Sequence, residues 1–226
     1  MTFQRTPQAD RELGPNTPRS HGALPLAAAG EAVLLPVSDA EAFWVGFDAE
    51  MTGCALCFRV TVLDDHGFAS DAIAGGPWLD ALSGAPQNYV VCPPQYALAG
   101  VTRPGGPRPF ARVTQLPDRY QACRSLTISA RRMRPRTPSG CATGAEAISH
   151  SGSTTARPMA IGPTGTAAVS GGADIVPDPY GPQCWDDAPA VTLRVVLVSY
   201  ERFRDETGRT PPALDPASSY GGWRLP

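Results

Sequence analysis

The sequence predicts a mainly β protein, with two antiparallel sheets packed as a sandwich and one or two short helices. Two segments, residues 55–63 and 190–198, alternate apolar and polar side chains in the manner of half-buried strands. Glycine and proline are abundant, 23 and 25 of 226 residues, which favours many turns and opposes long helices. A chain of this length can bury a core without help from disulfides or metal ions.

Residues 1–30 are predicted to be a disordered tail, because they mix proline, arginine and small polar residues with little to bury. A short buried strand is expected over residues 32–35, and Pro36 confines it to a sheet edge or marks its end. Ser38 and Glu41 then have the spacing of a capping box. The aromatic run that follows is therefore either a short helix or a strand.

The middle of the chain contains the clearest strand, residues 55–63. A turn at residues 64–67, a short apolar element at residues 78–82 and a strand at residues 88–92 are expected after it. The apolar face of the first strand carries Leu56, Phe58, Val60 and Val62, and its other face carries Cys57, Arg59 and Thr61.

Residues 134–172 are rich in serine, threonine, alanine, glycine and proline, so a linker or a long surface loop is expected there. Later, Ser199 can cap a short helix that Gly208 ends. The strands predicted around these elements are residues 108–116, 124–133 and 190–198, the last with Val191, Leu193, Val195 and Leu197 on its core face.

We expect the ordered residues to form one domain. Residues 31–133 form its β-rich first half, and residues 173–226 supply a strand and a helix that complete it. An alternative is a duplication into two related β halves, because Val37-Ser38 and Val198-Ser199 each precede a glutamate and a phenylalanine at similar spacing.

The charge composition excludes several classes of function. The formal net charge is −2 and all 19 basic residues are arginine, so chemistry that depends on a lysine is excluded. A nearly neutral chain is not expected to be a general nucleic-acid binder. No apolar run reaches the ~20 residues of a membrane span, and the N-terminus lacks the apolar core of a signal peptide. We therefore expect a cytoplasmic protein with reduced cysteines and with neither nucleic-acid nor membrane partners.

The sequence contains no complete catalytic or metal-binding set. Cys54 and Cys57 have the C-x-x-C spacing of zinc and redox sites, but no second pair accompanies them and a strand would turn their sulfurs to opposite faces. His66 follows Asp64 and Asp65 in a turn, and the chain lacks the G-x-S-x-G segment of a nucleophile elbow. We therefore predict no catalytic residues, no metal ligands and no cofactor.

An amide-rich segment near the middle of the chain is the strongest candidate for a binding site. Gln87, Asn88 and Tyr89 precede a strand, and their side chains can make several directed hydrogen bonds. One interpretation is structural, with Asn88 capping a turn and Gln87 satisfying backbone groups at a sheet edge. The other is that the three residues line a polar ligand pocket together with Tyr180 and Trp185.

Several short motifs follow one another along the chain in a distinctive order. They are Pro-Gln-Asn-Tyr-Val-Val-Cys-Pro-Pro-Gln at residues 86–95, Asp-Pro-Tyr and Trp-Asp within residues 178–186, and Thr-Gly-Arg-Thr-Pro-Pro at residues 207–212. A Tyr-Gly-Gly-Trp tail at residues 220–223 ends the series. In these motifs the chain resembles an uncharacterised family of bacterial and fungal proteins.

Gln95, Asp178 and Asp186, which lie within these motifs, complete the set of candidate ligand-binding residues. The chain departs from the family at residues 97–100, which read Ala-Leu-Ala-Gly where the family has Trp-Leu-Asp-Gly. If the tryptophan and aspartate built a site, this protein has lost part of it. No established activity accompanies the family, so the resemblance implies domain boundaries and not a function.

We therefore expect a non-enzymatic binding or assembly module, whose ligand is a small molecule or a protein. The aromatic residues Tyr220 and Trp223 near the C-terminus point to self-association. Two alternatives stay open. One is a hydrolase-type enzyme that uses aspartate, cysteine or His66, and the other is a purely structural protein that forms oligomers.

Overall fold

The computed structural model describes residues 1–8, 20–48, 53–73, 87–103, 106–116, 119–135 and 175–215. In this part of the chain the fold is mainly β, with two sheets and a single α-helix, which confirms the predicted fold class. The elements are β1 (Thr2–Pro7), β2 (Ala27–Ala29), β3 (Ala32–Pro36), β4 (Glu41–Gly46), β5 (Leu56–Leu63), β6 (Ala69–Asp71), β7 (Val90–Cys92), β8 (Ala97–Leu98), β9 (Phe110–Ala111), β10 (Gln121–Ala122), β11 (Ser125–Arg132), β12 (Val191–Val198) and α1 (Tyr200–Thr207).

The two sheets differ in size and both are mixed. The smaller sheet has the order β1-β4-β9-β10, with β8 also paired to β4. The larger sheet has the order β2-β3-β12-β11-β5-β6, with β7 also paired to β5. Most pairs are antiparallel as predicted, but β3 runs parallel to β12 and β9 runs parallel to β10. The prediction of purely antiparallel sheets is therefore wrong for these two pairs.

One apolar core joins the inner faces of the two sheets. The smaller sheet contributes Phe3, Phe43 and Val45, all at most 1% exposed. The rings of Phe47 and Phe58, which come from the two sides of the core, stack with their centroids 4.5 Å apart. The larger sheet adds a fully or nearly buried set from its central strands: Val60, Val62, Leu126, Ile128, Val195 and Leu197.

The outer face of the larger sheet is covered at two places. Beside β3 and β12, Phe203 of α1 packs on Leu34 and Val198. Near β7, the ring of Trp185 packs with Cys57 in a second apolar cluster. Among the described residues, the middle of this face, between the two covers, carries polar side chains.

The N-terminal residues include two strands, β1 and β2, and their connecting residues 20–26 bond back to β1, so the prediction of a disordered tail is wrong for residues 1–8 and 20–30. β1 pairs with β4 along its whole length, from Thr2 opposite Gly46 to Pro7 opposite Glu41. The error has a physical cause: the segment has few apolar residues, but its long polar side chains Arg5 and Gln8 are buried and hydrogen-bonded inside the fold. Residues 9–19 of the predicted tail lie outside the described residues.

Several predicted elements are confirmed with small changes at their ends. The strands predicted at residues 55–63, 124–133 and 190–198 correspond to β5, β11 and β12. The predicted helix is α1, where the Arg202 amide donates to the Ser199 hydroxyl and Gly208 adopts φ 68°. The predicted core face of β12 is correct at Val195 and Leu197, whereas Val191 is 63% exposed because it lies at the strand's outer end.

The aromatic run after Ser38 forms a strand, β4, rather than a helix. The capping-box contact is nevertheless present, because the Ser38 amide donates to Oε2 of Glu41 at 2.9 Å. The first copy of the proposed duplication therefore leads into a strand and the second into a helix. The strand predicted at residues 108–116 is shortened to Phe110–Ala111, and most of residues 112–116 form bends.

Some predictions concern residues that the structure does not describe. They include the apolar element at residues 78–82, all but two residues of the predicted linker, and the aromatic residues Tyr220 and Trp223. Within the described ranges, no helix has the length and apolarity needed to cross a bilayer.

Candidate functional site

The motif residues meet where a late segment of the chain crosses the sheet. We call residues 175–187 the strap. Its last residues pair with the end of β11, since the Arg134 amide donates to the Cys184 carbonyl at 2.8 Å and the Asp186 amide to the Arg132 carbonyl at 3.0 Å. Trp185, 1% exposed, anchors the strap in the apolar cluster against Cys57.

Asp178 is the centre of the polar contacts in the strap. Its Oδ2 accepts hydrogen bonds from the Tyr89 hydroxyl at 2.8 Å and from Trp185 Nε1 at 2.7 Å. Its Oδ1 accepts a bond from the backbone amide of Tyr180 at 2.9 Å. Both carboxylate oxygens are therefore engaged by donors of the same chain.

Two glutamines hold the backbone of the strap. Gln87 Nε2 donates to the Val176 carbonyl at 3.1 Å, and Gln87 Oε1 accepts from the Asp178 amide at 2.8 Å. Gln95 Oε1 accepts from the Val176 amide at 3.0 Å, while its Nε2 donates to the Ala97 carbonyl at 2.9 Å. The two side chains thus act on the strap as a neighbouring strand would, by pairing with its main-chain groups.

The structure brings five of the eight predicted ligand-binding residues into direct contact: Gln87, Tyr89, Asp178, Tyr180 and Trp185. The Tyr180 ring meets the Trp185 ring edge-on with centroids 5.8 Å apart. Gln95 is linked to them through Val176, whose amide donates to Gln95 and whose carbonyl accepts from Gln87. Asn88, next to them in the chain, is buried at 2% exposure. Asp186 contacts β11 through its main chain, because Arg131 Nη1 donates to the Asp186 carbonyl at 3.0 Å.

The electrostatics favour neutral donors in this cluster. Burial, and then the hydrogen bond to Asp178, raises the pKa of Tyr89 well above its ordinary value. Burial also raises the pKa of the Cys57 thiol from 9.0 to about 12, although nearby Arg131 lowers it. At neutral pH Tyr89 therefore donates to Asp178 as a phenol, and Cys57 remains a thiol with little nucleophilic character.

The other candidate groups are separated in space. Cys54 is exposed in the bend before β5, whereas Cys57 is buried within that strand. His66 lies in an exposed turn, with Nε2 3.7 Å from a carboxylate oxygen of Asp65. Across the described ranges, no group of three or more histidine, cysteine, aspartate or glutamate side chains is placed to hold a metal ion.

A second buried polar cluster was missed because it involves the predicted tail. Arg5, 6% exposed, donates from Nε to the His21 carbonyl at 3.0 Å. Its two terminal nitrogens donate to the carbonyls of Pro212 at 2.7 Å and Ala213 at 3.1 Å. Arg5 therefore fastens the segment after α1 to the first strand of the chain.

Glu41 lies beside Arg5 and is completely buried. Its carboxylate accepts the Tyr200 hydroxyl at 2.7 and 2.8 Å and stands 3.6 Å from Arg5 Nη1. Burial, and then this hydrogen bond, raises the pKa of Tyr200 above its ordinary value. The capping-box spacing of Glu41 was the one sequence signal for this residue, and it gave no sign of the partners.

No known protein family matches the chain, and neither a curated protein nor a solved structure is significantly similar to it. The resemblance drawn from the motifs at residues 86–95 and 178–186 therefore stays a prediction. The structure gives those motifs a physical relationship, since the first binds the second through Gln87, Tyr89 and Gln95.

Proposed function

We propose that the protein is a non-enzymatic binding or assembly module. The observation that carries this proposal is the engagement of both carboxylate oxygens of Asp178, which accept from Tyr89, Trp185 and the Tyr180 amide. A general base must be able to reach a substrate proton. A carboxylate with both oxygens bonded inside the fold is better suited to holding the strap in position.

The cysteines support the same proposal. Cys57 and Cys123 are buried, and burial raises the pKa of each thiol to about 12. Since the thiolate is the nucleophilic form, neither side chain is suited to covalent catalysis near neutral pH. His66, the remaining group of the hydrolase alternative, sits at an exposed turn with a side chain 76% exposed.

In this proposal the two polar clusters are structural, and recognition uses exposed surface. The strap and the segment after α1 are irregular stretches that Asp178 and Arg5 fix onto the sandwich. Fixing a segment before binding reduces the conformational entropy lost on association. A rigid sheet with fastened edges is a suitable platform for a ligand or for a second copy.

The test combines a turnover assay with a mass measurement on the full chain. Ester, phosphoester and glycoside substrates are offered to the protein and to the variants Asp178→Asn and Cys57→Ala, and mass is measured by light scattering. We expect no turnover above the blank, with a defined oligomer indicating assembly and a monomer indicating ligand binding. Turnover that either substitution abolishes, while the variant stays folded, would instead establish the hydrolase alternative.

A further inference from the structure

The middle of the larger sheet's outer face carries an ordered set of polar side chains. The register of the strands aligns six of these side chains in two rows, each of which runs across β12, β11 and β5. We call the six residues of these rows the polar floor: Arg194, Thr127 and Thr61 in the first row, and Thr192, Ser129 and Arg59 in the second.

The polar floor faces away from the core. In each of the three strands its residues alternate with buried core residues such as Val195, Ile128 and Val60. Thr192 and Arg194 are exposed and the other four are half-buried. α1 lies beyond one side of the floor and the strap beyond the other, so the floor is bordered on two sides.

The floor carries four hydroxyl groups and two guanidinium groups, and the Thr61 hydroxyl donates to Oδ1 of Asp71 at 3.2 Å. Arg59 donates to both carboxylate oxygens of Asp71, at 2.9 and 2.6 Å, so its charge is matched. Ser129 and Thr192 place their hydroxyl oxygens 3.2 Å apart. Among the described residues, no carboxylate lies within ion-pair distance of Arg194.

This combination matches one chemical class of ligand. Serine and threonine hydroxyls both donate and accept, as sugar hydroxyls do. A guanidinium binds a carboxylate in a bidentate, charge-assisted manner. Side chains on such a surface repeat at about 4.8 Å between strands and about 6.6 Å along a strand, which is the scale of a pyranose ring. We infer that the polar floor binds a uronate residue of an acidic polysaccharide, with Arg194 on the carboxylate.

The inference rests on the proposed binding function and names its ligand. Two other polymers fit the floor less well. Extended peptides usually pair with a sheet edge, and single-stranded nucleic acids stack on aromatic side chains, none of which belongs to the six floor residues.

The test is binding of polygalacturonate to the full chain by calorimetry, with the fully methyl-esterified polymer as the uncharged control. We expect binding that weakens about tenfold or more in Arg194→Gln and on raising salt from about 50 to about 200 mM. Arg119→Gln removes an exposed arginine outside the floor and should change affinity by less than about twofold.

Four results would overturn the inference: no binding, equal binding of the esterified polymer, equal binding of polyglutamate, or equal weakening by Arg119→Gln. A different result would contradict the proposed non-enzymatic function. Release of new reducing ends from polygalacturonate would show catalysis, whereas absence of binding without turnover removes only this ligand.

Discussion

The hydroxyl of Tyr89 donates to Oδ2 of Asp178 across 2.8 Å, although 89 positions separate the two residues in the chain. Trp185 Nε1 donates to the same oxygen at 2.7 Å. One carboxylate therefore joins β7, the strap and the apolar cluster under Trp185. The two glutamines also hold the strap, because Gln87 donates to the Val176 carbonyl and Gln95 accepts from the Val176 amide.

Replacing Asp178 should destabilise the fold. Asp178→Ala leaves Tyr89 and Trp185 with buried donors and no acceptor, so we expect a loss of about 2–4 kcal/mol in the free energy of unfolding. Urea denaturation measures it. Asp187→Ala is the matched control, because that carboxylate is 94% exposed where it pairs with Arg134 and should cost under about 1 kcal/mol. Similar losses in both variants would contradict a central role for Asp178.

Glu41→Ala should be more harmful than an exposed glutamate substitution. The change leaves the buried Arg5 without its carboxylate and takes the acceptor from the Tyr200 hydroxyl, so we expect a loss of about 3–5 kcal/mol. Glu206→Ala, which breaks the exposed pair with Arg202, should cost about 0.3–0.5 kcal/mol. Thermal or chemical denaturation of both variants separates the outcomes, and a Glu41 variant as stable as the control refutes the prediction.

Phe3→Ala tests whether the first strand belongs to the core. Phe3 is 1% exposed and its ring lies edge-on to Phe43 with centroids 6.0 Å apart, so a cavity should cost about 3–5 kcal/mol. Phe68→Ala removes a phenylalanine that is 73% exposed and should change stability by less than about 0.5 kcal/mol. A disordered N-terminus would make both substitutions neutral.

Alkaline pH should destabilise the protein through its buried thiols. The pKa of Cys57 rises from 9.0 in the unfolded chain to about 12 when folded, so folding favours the protonated thiol. Its contribution is complete below pH 9 and is lost as the pH rises toward 12, at about 1.4 kcal/mol per pH unit. Cys57→Ala should make the decline of unfolding free energy between pH 9 and 11 shallower by about this slope.

The control for the pH experiment is Cys54→Ala, which removes an exposed thiol and should leave the slope unchanged. A thiol reagent gives an independent check in a Cys141→Ser background. We expect Cys54 to react at once, and Cys57 and Cys123 only when the protein unfolds. Immediate reaction of Cys57 would refute its burial.

The sequence predicts those elements whose signals are local. β5 and β12 can be predicted because their side chains alternate with period two. α1 can be predicted because Ser199 and Gly208 mark its ends. β1 cannot be predicted from its local sequence, since the buried Arg5 donates to the carbonyls of Pro212 and Ala213, some 200 residues later in the chain. A polar strand of this kind resembles a tail until its distant partners are known.

The candidate site shows the same limit. The identities of Gln87, Tyr89, Asp178 and Trp185 could be selected from the sequence, because amides and aromatic donors near turns are uncommon enough to notice. Their contacts could not, because the Gln87 to Asp178 bond spans 91 positions. The choice between a ligand pocket and an internal fastening depends on which groups are already bonded, and the structure shows that Asp178 has both oxygens engaged.

The placement of β12 between β3 and β11 has a consequence for synthesis on the ribosome. β3 and β11 emerge first, and their shared neighbour is completed roughly 60 residues after β11 ends, several seconds later at ordinary elongation rates. During that interval both strands expose unpaired backbone edges, the feature that most readily recruits other chains. The nascent protein should therefore depend on chaperones, or on slow translation of its C-terminal part, more than its modest size suggests.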